Sequence, residues 1–104
     1  MRAHITRALG LSSLWSGIEG EADTGQGPMV ALFGPETYIE DSADLLDLAA
    51  PDSILKKGEV GAAGNGEMEW GYRLSQAMSI YGGTSEIMRS IIAQASLGMP
   101  RSRS

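Results

Sequence analysis

A chain of 104 residues with a formal net charge of −5 and no cysteine is one small domain's worth of polypeptide, with room for a modest core. The missing thiols exclude disulfides and zinc–thiolate sites. The negative balance, with six scattered arginines and Lys56–Lys57 as the basic pair outside the tail, argues against a nucleic-acid partner.

The first predicted element is a helix over about 2–19, where Ile5, Ala8, Leu9 or Leu11, Trp15 and Ile18 recur at three- and four-residue steps. Gly10 and Gly17 weaken it. Ser12, Ser13, Trp15 and Ser16 also break the continuous apolar run that a signal peptide needs. Residues 20–27 are polar with three glycines and read as a loop. A long helix is predicted over about 28–50, because Pro28 suits a first helical turn. Met29, Leu32, Phe33, Ile39, Ala43, Leu46 and Ala50 form its apolar stripe. Gly34–Pro35 should kink it, since proline cannot donate to the carbonyl four residues back, and Pro51 should end it. Residues 51–66 are glycine-rich without a clear period and read as a loop, mobile or shaped by a partner. A further helix over about 67–79 carries Trp70, Leu74, Ala77 and Met78 on one side.

The last helix, about 85–97, is the clearest. Thr84 or Ser85 can cap it, Glu86 suits the positive end of its dipole, and Gly98 with Pro100 supplies the stop. There is no internal repeat and no convincing strand, so the expected fold is all-α with three to four helices. No segment approaches the roughly 20 apolar residues of a membrane span. The expectation is a soluble, cytoplasmic protein without a membrane partner.

Few residue groups suggest chemistry. Glu36, Glu40, Asp44 and Asp47 share one helix face and read as a solvated stripe rather than a metal site, so no metal is expected. "GEVGAAGNGE" lacks the glycine pattern and the lysine of a nucleotide loop and reads as a connector. His4 reads as a surface residue. Trp15 and Trp70 read as core or interface anchors. Tyr81-Gly82-Gly83-Thr84-Ser85-Glu86 is the exception. Free N–H groups at a helix start, two glycines that admit close backbone approach, and two hydroxyls could hold a polar cofactor or thioester. A plain capped turn fits the same residues.

"IYGGTSEIMRSIIAQASLGMPR" resembles the C-terminal signature of the acyl-CoA dehydrogenases, flavoenzymes that remove hydrogens from the α and β carbons of acyl-CoA thioesters. Arg73, Ile80, Tyr81, Gly83 to Ile87, Arg89, Ile91, Ile92, Leu97, Gly98 and Pro100 carry the match. "ITRALGLSSLW" and "VALFGPETYIEDSADLLDLAAPD" resemble the two preceding helices of the family's C-terminal domain more loosely. The resemblance implies part of a C-terminal four-helix bundle spanning 1–104, and a role in fatty acid metabolism. It implies FAD contact by Thr84, Ser85 and Glu86, with Gly83 beside the substrate thioester. Gly82 occupies the position where many members place the catalytic glutamate, so no catalytic residue is assigned in this chain. "KKGEVGAAGNGE" lies where members often carry a glutamine-led glycine loop that touches a neighbouring subunit's flavin, but the glutamine pattern is missing. Leu74 replaces an aspartate common after the matched Arg73. The family's other domains have no counterpart in the chain. The resemblance therefore implies an enzyme segment, inactive alone, whose partners are the remaining domains or subunits in a homo- or hetero-oligomer that binds acyl-CoA. A non-catalytic helical module docking on a partner acyl-CoA dehydrogenase chain is the alternative.

Overall fold

The computed structural model describes residues 1–20 and 25–101. The described residues form four α-helices and no strand: α1 (Arg2–Glu19), α2 (Gln26–Leu48), α3 (Glu67–Met78) and α4 (Ser85–Ala95). Two short 3-10 turns, Asp52–Ile54 and Ala63–Gly66, punctuate the segment expected as a loop. The fold is all-α. The chain divides into two units. One is Met1–Gly34 with Gly82–Ser104, and the other is Pro35–Tyr81.

In the first unit, Gly20 ends α1 in the left-handed conformation (φ 75°), its N–H bonded to the Ser16 carbonyl. α2 begins at Gln26, two residues before the expected start. Its first amide bond runs from Met29 N–H to Gly25 O at 3.0 Å. Pro28 still lies in the first turn, where a missing N–H leaves no bond unmade. The helix continues through Pro35, and the division between the units falls at the Gly34–Pro35 pair. α4 finishes at Ala95, and Gly98 (φ 63°) turns the chain so that Met99 N–H reaches Ala93 O at 3.0 Å.

α1 is amphipathic in the unexpected sense. Its half-buried residues include Thr6, Leu9, Ser13 and Ser16, three hydroxyls and one leucine. Two of the hydroxyls are satisfied along the helix: Thr6 Oγ1 donates to Arg2 O at 3.1 Å and Ser16 Oγ to Ser12 O at 2.8 Å. Ser16 also bonds the Gln26 side chain, and the Thr6 methyl lies 3.7 Å from where a β-carbon on Gly34 would sit. Small and polar residues thus let α1 approach the start of α2 closely. The large apolar residues face away: Leu11 is 58% exposed, Leu14 66%, Trp15 66% and Ile18 78%.

The second unit repeats the theme. Its buried residues are Thr37, Ser42, Ser53, Gly66 and Ser75. Ser53 Oγ donates to Leu46 O at 2.6 Å and Ser75 Oγ to Tyr72 O at 2.7 Å, so burial leaves neither hydroxyl unpaired. Gly71 admits the Tyr38 hydroxyl, 3.3 Å from its would-be β-carbon. Trp70 and Leu74 of α3 are exposed, and Met78 is half-buried. Across both units no hydrophobic side chain among the described residues is fully buried.

The segment between α2 and α3 is braced from within. Lys56 N–H bonds Glu59 Oε2 at 2.7 Å and Glu59 N–H returns to Lys56 O at 3.1 Å. Asn65 N–H bonds Ala62 O at 3.1 Å. Gly64, Asn65 and Gly66 take positive φ in succession, which turns the chain into α3.

Candidate functional site

The start of α4 is assembled from local rules. Thr84 is extended (φ −68°, ψ 156°), and its Oγ1 accepts the Ile87 N–H at 3.3 Å. That is a side-chain N-cap, made by Thr84 rather than by Ser85. The first intrahelical bond is Met88 N–H to Thr84 O at 3.0 Å. The amides of Ser85 and Glu86 therefore have no helical acceptor and point out of the helix end. This is the positive end of the macrodipole, with Glu86 in the first turn.

The two glycines before the cap differ. Gly83 has φ 110°, a conformation that side chains disfavour. A β-carbon there would collide with the terminal methyl of Met88. Gly82 has nothing within 4 Å of its would-be β-carbon. Both are exposed, as is Glu86, while Thr84 and Ser85 are half-buried. One unbroken turn thus brings together Gly82, Gly83, Thr84, Ser85 and Glu86. It presents two free amides, the Ser85 hydroxyl, the Thr84 O–H as a donor, and the Glu86 carboxylate as an acceptor.

Met88 is a participant that sequence reading took only as part of an apolar face. It is the fourth residue of the helix counted from the cap, and helical side chains lean toward the N-terminus. From there it covers the position before the cap, the geometry of a hydrophobic staple. The signal was legible as a methionine four residues after a threonine cap.

A carboxylate to replace the one missing at Gly82 is not available from α3. Glu69 is held by Arg73 through two contacts, Oε1 to Nε at 2.6 Å and Oε2 to Nη2 at 3.2 Å. Glu67 lies 3.7 Å from Lys57 Nζ. These four residues, with Gly66 and Trp70, line a cleft of about 300 Å³ in the second unit. A smaller cleft of about 180 Å³ is lined by Tyr38, Ser42, Leu45, Glu67, Met68 and Gly71. No residue of the α4 turn lines either. Among the described residues no three His, Cys, Asp or Glu side chains are grouped to hold a metal, and no helix is long and apolar enough to cross a membrane.

Residues 1–97 match the family model "Acyl-CoA dehydrogenase, C-terminal domain". The chain belongs to the acyl-CoA dehydrogenase family. It is 32% identical over 92 residues to the acyl-CoA dehydrogenase FadE26 of Mycobacterium tuberculosis, covering 85% of this chain and 23% of that protein. Its fold is similar to chains of the ChsE4–ChsE5 complex from Mycobacterium tuberculosis (TM-score 0.87, 23% identity, 97% of this chain and 26% of that one). It is also similar to the assembly described as Tcur3481-Tcur3483 steroid ACAD (TM-score 0.91, 24% identity, 97% and 26%). At such identities the structures speak for the fold alone. The chain spans about a quarter of the length of these acyl-CoA dehydrogenase relatives.

Proposed function

We propose that this chain contributes the C-terminal helical part of an FAD-dependent acyl-CoA dehydrogenase acting on acyl-CoA thioesters by α,β-dehydrogenation. Thr84, Ser85 and Glu86 contact the flavin, and Gly83 lies against the thioester. The observation that supports this most is the α4 turn itself. Its unpaired amides, positive dipole end and side-chain-free approach at Gly82 and Gly83 suit a polar, partly anionic cofactor. When bound, FAD supplies the acceptor for the hydride leaving the acyl β-carbon. The chain's own residues position: amides and hydroxyls donate to acceptors on the cofactor, and Glu86 accepts from its donors. No residue of the turn takes the α-proton, because Gly82 has no side chain, so the base belongs to another part of the assembly. The turn is open, and a flavin needs an enclosing, water-excluding cleft. The remaining domains supply that enclosure, and the chain alone is inactive.

A second reading, a non-catalytic helical subunit that docks on a partner acyl-CoA dehydrogenase chain, is favoured by Gly82 and by the large exposed apolar residues. Two of the similar structures are named for two proteins each, and one carries the word steroid. That makes a steroid-bearing acyl thioester the first substrate to try.

The test has two arms. The purified chain mixed with FAD is expected to retain no flavin absorbance and to reduce no dye with acyl-CoA. Flavin retained tightly by the chain alone would contradict the segment reading. The chain reconstituted with the missing family domains is expected to hold FAD and to lose it on Thr84→Val combined with Glu86→Ala. Unchanged flavin content in that variant excludes the turn as a flavin contact.

A further inference from the structure

We infer that α1 is a self-pairing helix that binds α1 of a second copy of this chain in antiparallel register. Leu11, Leu14, Trp15 and Ile18 follow the i, i+3, i+4, i+7 spacing of a single helix face, and all four are more than half exposed. Side chains of this size offer on the order of 500 Å² between them, as much as the largest apolar patch of a typical soluble monomer. It is also well over half of one side of a standard interface, about 800 Å². The opposite face of α1, with Thr6, Ser13 and Ser16, is the half-buried one. The chain therefore uses the polar side of the helix for its own packing and leaves the apolar side outward.

The charges say what covers that side. α1 has no acidic residue in its first turn and no basic residue in its last. Arg2 and His4 lie at the positive dipole end and Glu19 at the negative end, the reverse of the stabilising arrangement. Glu21 and Asp23 follow in the sequence. A helix that is basic at its start and acidic at its finish is complementary to itself when one copy is turned end for end, and the two dipoles then also oppose favourably. A two-fold axis between Leu14 and Trp15 sets Leu14 against Trp15 of the other copy and Leu11 against Ile18, so every large residue of the stripe meets another. At 1.5 Å per residue, Arg7 lies about 11 Å from that axis and Glu19 about 7 Å, an offset an arginine side chain can span. Each such pair forms twice, as two-fold symmetry requires. This pairing is independent of what the α4 turn holds.

Sedimentation velocity of the full 104-residue chain is expected to show a two-copy species at micromolar concentration. Trp15→Ala weakens dimerisation on the order of thirtyfold, as for a central aromatic hot spot. Arg7→Glu and Glu19→Arg each weaken it roughly threefold to tenfold, and the two together restore it. Circular dichroism of each variant checks that the helices remain, and the charge reversals lie on exposed positions. A monomer at tens of micromolar, a dimer indifferent to Trp15→Ala, or reversals that add rather than cancel overturns the proposal. The last two outcomes assign the α1 face to a different polypeptide.

Discussion

Two glycine turns lead into helices of this molecule, and they use glycine for opposite reasons. Before α3, Gly66 is buried at φ 82°, and a β-carbon there would run into the backbone of Lys57 and Lys56, with Lys57 Cα at 2.5 Å and the Lys56 carbonyl carbon at 2.8 Å. Glycine at this point lets two backbone segments touch. Before α4, Gly82 meets nothing within 4 Å, and Gly83 meets only the end of one flexible side chain. Glycine there leaves space beside a helix end that still has amides to give. The comparison separates glycines that close a structure from glycines that keep one open, and only the second kind suits a ligand.

The largest test of that contrast is Gly66→Ala. The overlap is with backbone, which cannot swing aside, and the conformation is left-handed. The expected loss is about 3 kcal/mol or more, read as a lower urea midpoint with loss of α3 helicity. Gly83→Ala should cost less, about 1–2 kcal/mol, because the Met88 methyl can move. A double-mutant cycle with Met88→Ala should recover the steric share and leave the share due to φ. Thr84→Ala removes the cap and should cost about 1 kcal/mol, with Thr84→Ser close to wild type. Gly82→Ala should stay within about 0.5 kcal/mol. Gly82→Glu should fold equally well, which makes it a clean way to restore a carboxylate at the turn in a reconstituted enzyme. If Gly82→Ala proved as damaging as Gly66→Ala, the open turn would be a misreading of its geometry.

Much of the α4 site could be read directly. The cap, the acidic first turn, the twin glycines and the stop at Gly98 are local features, decided within a few residues of chain. The difference between Gly82 and Gly83 was not legible, because neighbouring glycines look alike until φ and the position of Met88 are known. The segment after Pro51 also misled. Its glycines suggest mobility, yet Lys56, Glu59, Ala62 and Asn65 tie it together through hydrogen bonds no composition records. Trp70 and Leu74 form a stripe at helical spacing, but their side chains face out while Gly71 and Ser75 face in.

By itself, then, the sequence determined that the chain is helical, roughly where each helix runs, and which family signature closes it. Periodicity, caps and stops act over single turns of helix and need no distant partner. Only the tertiary structure decided which face of each helix is used. Helices that pack closely through Gly, Ser and Thr bury their small residues and turn leucine, isoleucine and tryptophan away. An apolar stripe records that a face seeks cover without recording whether this chain or another polypeptide provides it.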